Sequence, residues 1–309
     1  MSNLKKIEGG VTTPQGFTAG AVYTAIKKRE NKKPDVAVLY SDLPCSCAAC
    51  FTTNKFCAAP VILDREILKK GKARAVVINS GNANAATGTQ GIEDARTVER
   101  EAEKLLGVGE NEVFVCCTGV IGQKLPVEKV LDGVRQIIPA KLDKANGSDA
   151  AYAIMTTDTV RKESAYELEL SSGTIRIGAM AKGSGMIHPN MGTMLCGITT
   201  DCAIDGALLQ DMLRQVVTKT FNRITVGGDT STNDMCLALA NGMAGNPLIE
   251  WKDEDYSAFL AALEELCRQL ARSIAGDGEG ASKLVTCRMT GARSEESAER
   301  LAKAVVGSS

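Results

Sequence analysis

The chain has 309 residues, 44% apolar and 24% charged, an ordinary globular composition with enough length for two lobes. A formal net charge of −1 offers no broad basic face, which argues against nucleic acid or an anionic membrane as the main partner. The start, MSNLKKIEGG, has no apolar core behind its lysines and no apolar run approaches bilayer length, so the expected compartment is the cytoplasm.

Short apolar runs alternate with longer amphipathic ones. Residues 36–40 (VAVLY) and 75–78 (AVVI) read as buried strands, and the loop 80–88 (SGNANAATG) follows the second. A charged-faced helix is expected over 92–106, stopped by Gly107. Residues 113–117 form another strand, running into Thr118-Gly119-Val120-Ile121-Gly122. Pro126 opens a helix whose apolar stripe is Val127, Val130, Leu131, Val134 and Ile138. Residues 166–170 and 174–180 make a hairpin around Ser171-Ser172-Gly173. Beyond it come a strand at 193–199, a helix capped by Asp205 and running to about Phe221, a polar loop at 227–233 and a strand at 235–239. Phe259, Leu260, Leu263, Leu266, Cys267, Leu270 and Ile274 share one face of a long helix ending at Gly276. A strand at 284–289 and a helix at 295–306 close the chain. The class is mixed α/β, with sheets covered by helices.

Eleven cysteines, an odd count without a secretion signal, argue against a disulfide framework. Cys45, Cys47, Cys50 and Cys57 lie close together, but C-x-C-x2-C-x6-C is not a structural-zinc spacing and His188, the single histidine, is remote, so no metal is expected. A metal-binding module built on that cluster is the non-enzymatic alternative.

The stretch 182–200, KGSGMIHPNMGTMLCGITT, joins a long glycine-rich turn to a strand-like run at Gly192-Thr193. One reading is an anion loop with Lys182 as its cation. The other is a self-processing junction. Glycine leaves the scissile carbonyl unshielded, and cleavage would give Thr193 a free α-amine beside its hydroxyl. Such an amine titrates at about 7.7–8.0, so one residue supplies both nucleophile and base.

KGSGMIHPNMGTML resembles the processing site of the bifunctional glutamate N-acetyltransferase/ornithine acetyltransferase family of arginine biosynthesis, with Gly192 where the family usually has alanine. The resemblance runs in order through TPQGFTAG, FTTNKFCAAPV, INSGNANAATG, CTGVIG, MTTDT, FNRITVGGDTSTND and GDGEGASK. It implies a self-processing sandwich of the N-terminal-nucleophile type, shared with self-processing aminopeptidases. An α fragment, 1–192, and a β fragment, 193–309, would associate as α2β2. Thr193 matches the nucleophile, Thr118 and Gly119 the oxyanion pair, and Thr156, Lys182, Thr193 and Glu279 the substrate contacts.

The implied reaction is ping-pong transfer of acetyl from N-acetylornithine to glutamate. No cofactor is implied; acetyl-CoA is a co-substrate of bifunctional members. A charged substrate would offer its carboxylate to Lys182 and its ammonium to Glu279. Each residue also has a plainer reading: Thr118 as a turn cap, Thr156 as a loop hydroxyl, Lys182 and Glu279 as solvated charges. A self-processing aminopeptidase or amidase is the enzymatic alternative. The family continues past Ser309 with further substrate contacts, so a C-terminally incomplete chain with weak transfer is expected.

Overall fold

The structure, a computed structural model, describes residues 3–28, 30–187 and 194–308. The chain forms β1 (Leu4–Ile7), β2 (Phe17–Val22), β3 (Val36–Phe51), α1 (Ala59–Lys70), β4 (Lys72–Asn82), α2 (Gly88–Leu106), β5 (Val113–Val120), α3 (Val127–Ile137) and α4 (Gly147–Ala153). There follow β6 (Lys162–Leu170), β7 (Gly173–Lys182), β8 (Leu195–Thr200), α5 (Gly206–Lys219), β9 (Met235–Ala240), α6 (Glu254–Gly276) and α7 (Glu295–Val306).

Among the described residues the nine strands form one hydrogen-bonded network, β1-β6-β7-β8-β9-β3-β4-β5, with β2 also on β3. The long strand β3 is the hinge of this network. Its first half pairs with β2 and β4, its register shifts between Tyr40 and Cys45, and residues 46–51 pair with β9. The two halves of the sheet therefore stack. Cys116 on β5 and Met235 on β9 touch at 3.7 Å between sulfurs, although two strands separate them in the sheet order.

Strand alternation divides the burial. Met235, Leu237 and Leu239 point into the core between the halves, while Cys236, Ala238 and Ala240 point to a second core under α5 and α6. Helices α1 and α2 pack on β5, and α3 on β2 and β3. The expected mixed α/β arrangement of sheets covered by helices is what forms, although the sheets are one folded network.

Local chemistry explains the helix ends. Asp205 accepts from the N–H of Ala207 and Leu208 at the start of α5, and Asp253 from Tyr256 at the start of α6. Gly71, at φ 72°, turns the chain out of α1. The hairpin β6–β7 closes at Leu170 and Gly173, as the sequence predicts.

One expected strand does not form. Residues 284–289 form no strand, because no neighbouring strand accepts their ladder; Leu284 and Val285 stay exposed. The helix capped by Asp205 forms as expected and runs to Lys219, within two residues of its expected end, with Phe221 in a separate short turn. Four elements, β1, β2, α1 and α4, carry no clear periodic signal along the chain and emerge only in the structure. Among the described residues no helix is long and apolar enough to cross a membrane.

Candidate active site

Lys182 ends β7 and stands opposite Leu195, the first residue of β8, which in turn stands beside Met235, the first residue of β9. The connection 183–194 therefore leaves and re-enters the sheet at one end. Gly192 and Thr193, the expected cleavage site and nucleophile, lie outside the described residues, as does His188. The stretches on either side are described and firmly held.

On the upstream side, Gly183 N–H donates to Asp158 Oδ1 at 2.7 Å and Ser184 Oγ to the Asp277 carbonyl at 2.7 Å. Glu279 N–H donates to the Ser184 carbonyl at 2.9 Å, and Val226 N–H to the Ile187 carbonyl at 2.8 Å. On the downstream side, Met194 N–H donates to Asp234 Oδ1 at 2.8 Å. The next residue back, Asn233, donates from Nδ2 to the carbonyls of Ala83, at 2.6 Å, and Cys117, at 2.9 Å. Asn233-Asp234 thus joins the residue after Thr193 to the residue before Thr118, tying β8 to β5 across the folded sheet.

Thr118 is buried at the end of β5 and Gly119 is exposed beside it. Gly119 adopts φ 139°, and a Cβ there would lie 2.3 Å from the Gly81 carbonyl carbon and 2.5 Å from Asn82 N. Glycine is required here by both conformation and space, so β4 and β5 approach closely where the sequence places an oxyanion pair.

Behind the connection lies a buried ionic network. Lys162 Nζ donates to Asp158 Oδ1 at 2.8 Å and to Asp277, and the Lys162 and Asp158 side chains are 0% exposed. Asp158 Oδ2 accepts from Thr156 N–H at 3.0 Å, so the same carboxylate holds Thr156 and the start of the 183–194 connection. Burial works to raise the Asp158 pKa, but the charge of Lys182 and the Lys162 and Gly183 hydrogen bonds prevail and hold it below the usual carboxylate range. Lys182 is fully buried; desolvation lowers its pKa against the pull of Asp158 and Asp234. Burial pushes Asp234 well above the usual carboxylate value, opposed by the Met194 hydrogen bond and Lys182.

The candidates named from the sequence therefore fall into two groups. Thr156, Lys182 and Glu279 converge on the upstream side of the connection. The Glu279 carboxylate rests against Gly185, where a Cβ would come within 2.5 Å of Oε2. Thr118 and Gly119 belong to the downstream side, reached through Asn233. The cysteine cluster does not converge in this way: Cys45 and Cys47 join the core between the sheet halves, while Cys50 packs against the other core. Among the described residues no group of three or more histidine, cysteine or carboxylate side chains is arranged to hold a metal.

A family profile, the ArgJ family, matches residues 18–309. The chain belongs to the ArgJ family. It is 50% identical over 305 residues to an arginine biosynthesis bifunctional protein ArgJ of Symbiobacterium thermophilum, covering 99% of this chain and 76% of that relative. To the ArgJ protein of Caldanaerobacter subterraneus it is 46% identical, covering 99% and 75%. Among solved structures, an ArgJ protein of Bacillus halodurans is 37% identical with a TM-score of 0.57, covering 61% of this chain and 97% of that one. An ornithine acetyltransferase complexed with ornithine, from Mycobacterium tuberculosis, is 36% identical with a TM-score of 0.55, covering 60% and 98%. A Burkholderia β-aminopeptidase shares the fold, at 14% identity and a TM-score of 0.51 over 87% of this chain and 86% of that one.

Asp158, Lys162, Asp234 and Asp277 escape the sequence reading of this ArgJ chain, and Asn233 is legible only as the end of a polar stretch, 222–233, that could line a site or be an ordinary loop. Asp158 and Asp277 stand inside the motifs MTTDT and GDGEG, and Asn233-Asp234 closes the polar loop before β9, so each had a weak positional signal. Lys162 had none, since nothing local distinguishes a buried lysine from a solvated one.

Proposed function

We propose that this ArgJ chain cuts itself between Gly192 and Thr193 and then transfers acetyl from N-acetylornithine to glutamate by a ping-pong route through acetyl-Thr193. The observation that carries the reading is the Asn233-Asp234 link, which ties the residue after Thr193 to the strand bearing Thr118 and Gly119. A nucleophile and an oxyanion site must be held in register, and a link between their chain neighbours supports that reading.

After cleavage the Thr193 α-amine takes the proton of its own hydroxyl. The hydroxyl oxygen attacks the acetyl carbonyl, and the Thr118 hydroxyl and Gly119 N–H stabilise the tetrahedral oxyanion. Ornithine departs, and the glutamate amine takes the acetyl group to give N-acetylglutamate. Lys182 holds the substrate carboxylate and Glu279, exposed at the surface, its ammonium, with Thr156 beside them. Acetyl-CoA is the candidate second acetyl donor, which the assay below decides, and the compartment in this reading is the cytoplasm.

The sheet pairing bears on the fate of the two products. The two products share one sheet: β7 before the cut pairs with β8 after it, and β3 pairs with β9. They would stay together as α and β fragments, 1–192 and 193–309, and pair as α2β2.

The test is an assay with N-acetylornithine plus glutamate beside acetyl-CoA plus glutamate. Intact mass should show one added acetyl on the β fragment after N-acetylornithine alone, removed by glutamate. The β-aminopeptidase likeness favours one competing reading, acyl transfer to water. Hydrolysis at a rate indifferent to glutamate would establish it instead.

A further inference from the structure

Thr156, Lys182 and Glu279, the substrate contacts of the proposed reaction, come from three separate segments: the turn after α4, the end of β7 and the turn after α6. Lys162 touches no substrate in that reading, yet it is joined to all three. Resting on that reading, we propose that Lys162 is a positioning residue for the substrate. It occupies Asp158 and Asp277 and so leaves the Lys182 ammonium to the substrate carboxylate.

The connections come first. Lys162 opens β6 and pairs with Ala181, the neighbour of Lys182 on β7. Its Nζ donates to Asp158 Oδ1 at 2.8 Å and to Asp277, the residue that follows α6. Asp158 also accepts from Thr156 N–H at 3.0 Å and from the N–H of Gly183, the residue after Lys182, at 2.7 Å. On the other arm, the Asp277 carbonyl accepts from Ser184 Oγ at 2.7 Å, and the Ser184 carbonyl from Glu279 N–H at 2.9 Å. Each contact segment is thus tied to Lys162 through one of its two carboxylates.

The charges complete the argument. Among the described residues Lys182 Nζ makes no hydrogen bond or ion pair, although Lys182 is fully buried; Asp158 and Asp234 attract it without pairing. Lys162 is the cation that Asp158 does pair with, and water reaches neither side chain. Against the effect of burial, the charge of Lys182 acts on Asp158 more strongly than any other group. Without Lys162, Asp158 would therefore draw in the Lys182 ammonium. An arriving substrate carboxylate would then meet an occupied cation beside a buried anion. A buried ion pair adds little net stability over apolar packing, whereas holding one cation so that another stays unpaired serves recognition.

The experiment measures steady-state kinetics of the self-cleaved protein, with cleavage confirmed by mass. N-acetylornithine plus glutamate is compared with 4-nitrophenyl acetate, an acetyl donor carrying neither carboxylate nor ammonium. Lys162→Met should raise KM for N-acetylornithine about 10-fold or more, with kcat and 4-nitrophenyl acetate turnover within about threefold of wild type. The double variant Lys162→Met/Lys182→Ala should be little worse than Lys182→Ala alone, since the first residue acts through the second. Equal losses on both donors mark a merely structural role and overturn the inference, as do unchanged N-acetylornithine kinetics or single losses that simply multiply in the double variant. A Lys162 variant that folds but stays uncut overturns it too. A wild type that transfers no acetyl, or a Lys182→Ala variant with wild-type kinetics, overturns the parent reading and this one together. Should Lys162→Met fail to fold, Lys162→Gln, which keeps a donor to one carboxylate but no charge, replaces it in every comparison.

Discussion

Replacing Lys162 by methionine removes the cation that two buried carboxylates share. The Lys162 and Asp158 side chains are 0% exposed and that of Asp277 is 7% exposed, so water cannot take the lysine's place. Breaking a buried pair by removing one partner costs about 3–5 kcal/mol, and the two stranded carboxylates here favour the upper half of that range. With an unfolding entropy of about 2.1 cal/mol/K per residue, a chain of this length loses roughly 6–8 °C of melting temperature.

The pH dependence is specific to this cause. Asp158 and Asp277 both sit below the usual carboxylate value, since the Lys162 hydrogen bonds, with Lys182 for Asp158 and Thr159 for Asp277, outweigh burial. Their stabilisation is present above the unfolded value of about 4 and is lost as pH falls through the lower folded values. The gap between wild type and Lys162→Met should therefore be full at pH 7 and narrow below about pH 4. Scanning calorimetry across that range checks both parts. A loss under 1 °C at pH 7, or a gap unchanged down to pH 2.5, would refute the reasoning.

Thr193→Ala should remain a single chain on mass analysis, because the attacking hydroxyl is gone. Lys182→Ala and Glu279→Ala should each lower kcat/KM for acetyl transfer by roughly 10- to 150-fold, equivalent to about 1.5–3 kcal/mol of a charged contact; unchanged steady-state kinetics would remove them from the site. Gly119→Ala forces a Cβ against β4 at positive φ and should cost about 2–6 kcal/mol, seen as a lowered denaturation midpoint together with lost cleavage. Glu99, on α2, is pushed up to about 7 by burial and then by Glu103, and both its carboxylate oxygens lack a hydrogen bond. Its folded value exceeds the unfolded one, so stability is lost as pH rises from about 4.5 through 7. Glu99→Gln should accordingly gain melting temperature over wild type at pH 8 and little at pH 5, and an equal difference at both would contradict that account.

Much of this protein was legible along the chain. The stripe from Phe259 to Ile274 specified α6, Asp205 marked the start of α5, and Ser171-Ser172 closed the β6–β7 hairpin, because helix faces, caps and two-residue turns are set by residues within a few positions of one another. The ordered motifs likewise sufficed for the family, since they survive as strings of residues. Residues 284–289 show where that logic ends: their apolar content suggests a strand, but a strand exists only where a neighbour accepts its ladder. The bend in β3, which folds one sheet onto itself and brings Cys116 against Met235, depends on pairings between residues far apart in sequence. The same holds for Lys162 between Asp158 and Asp277, and for Asn233-Asp234 between Cys117 and Met194. Local sequence determined the elements and the family motifs; tertiary structure alone decided which buried charges meet, because a charge's burial and partners are properties of the packed chain and not of its neighbours along it.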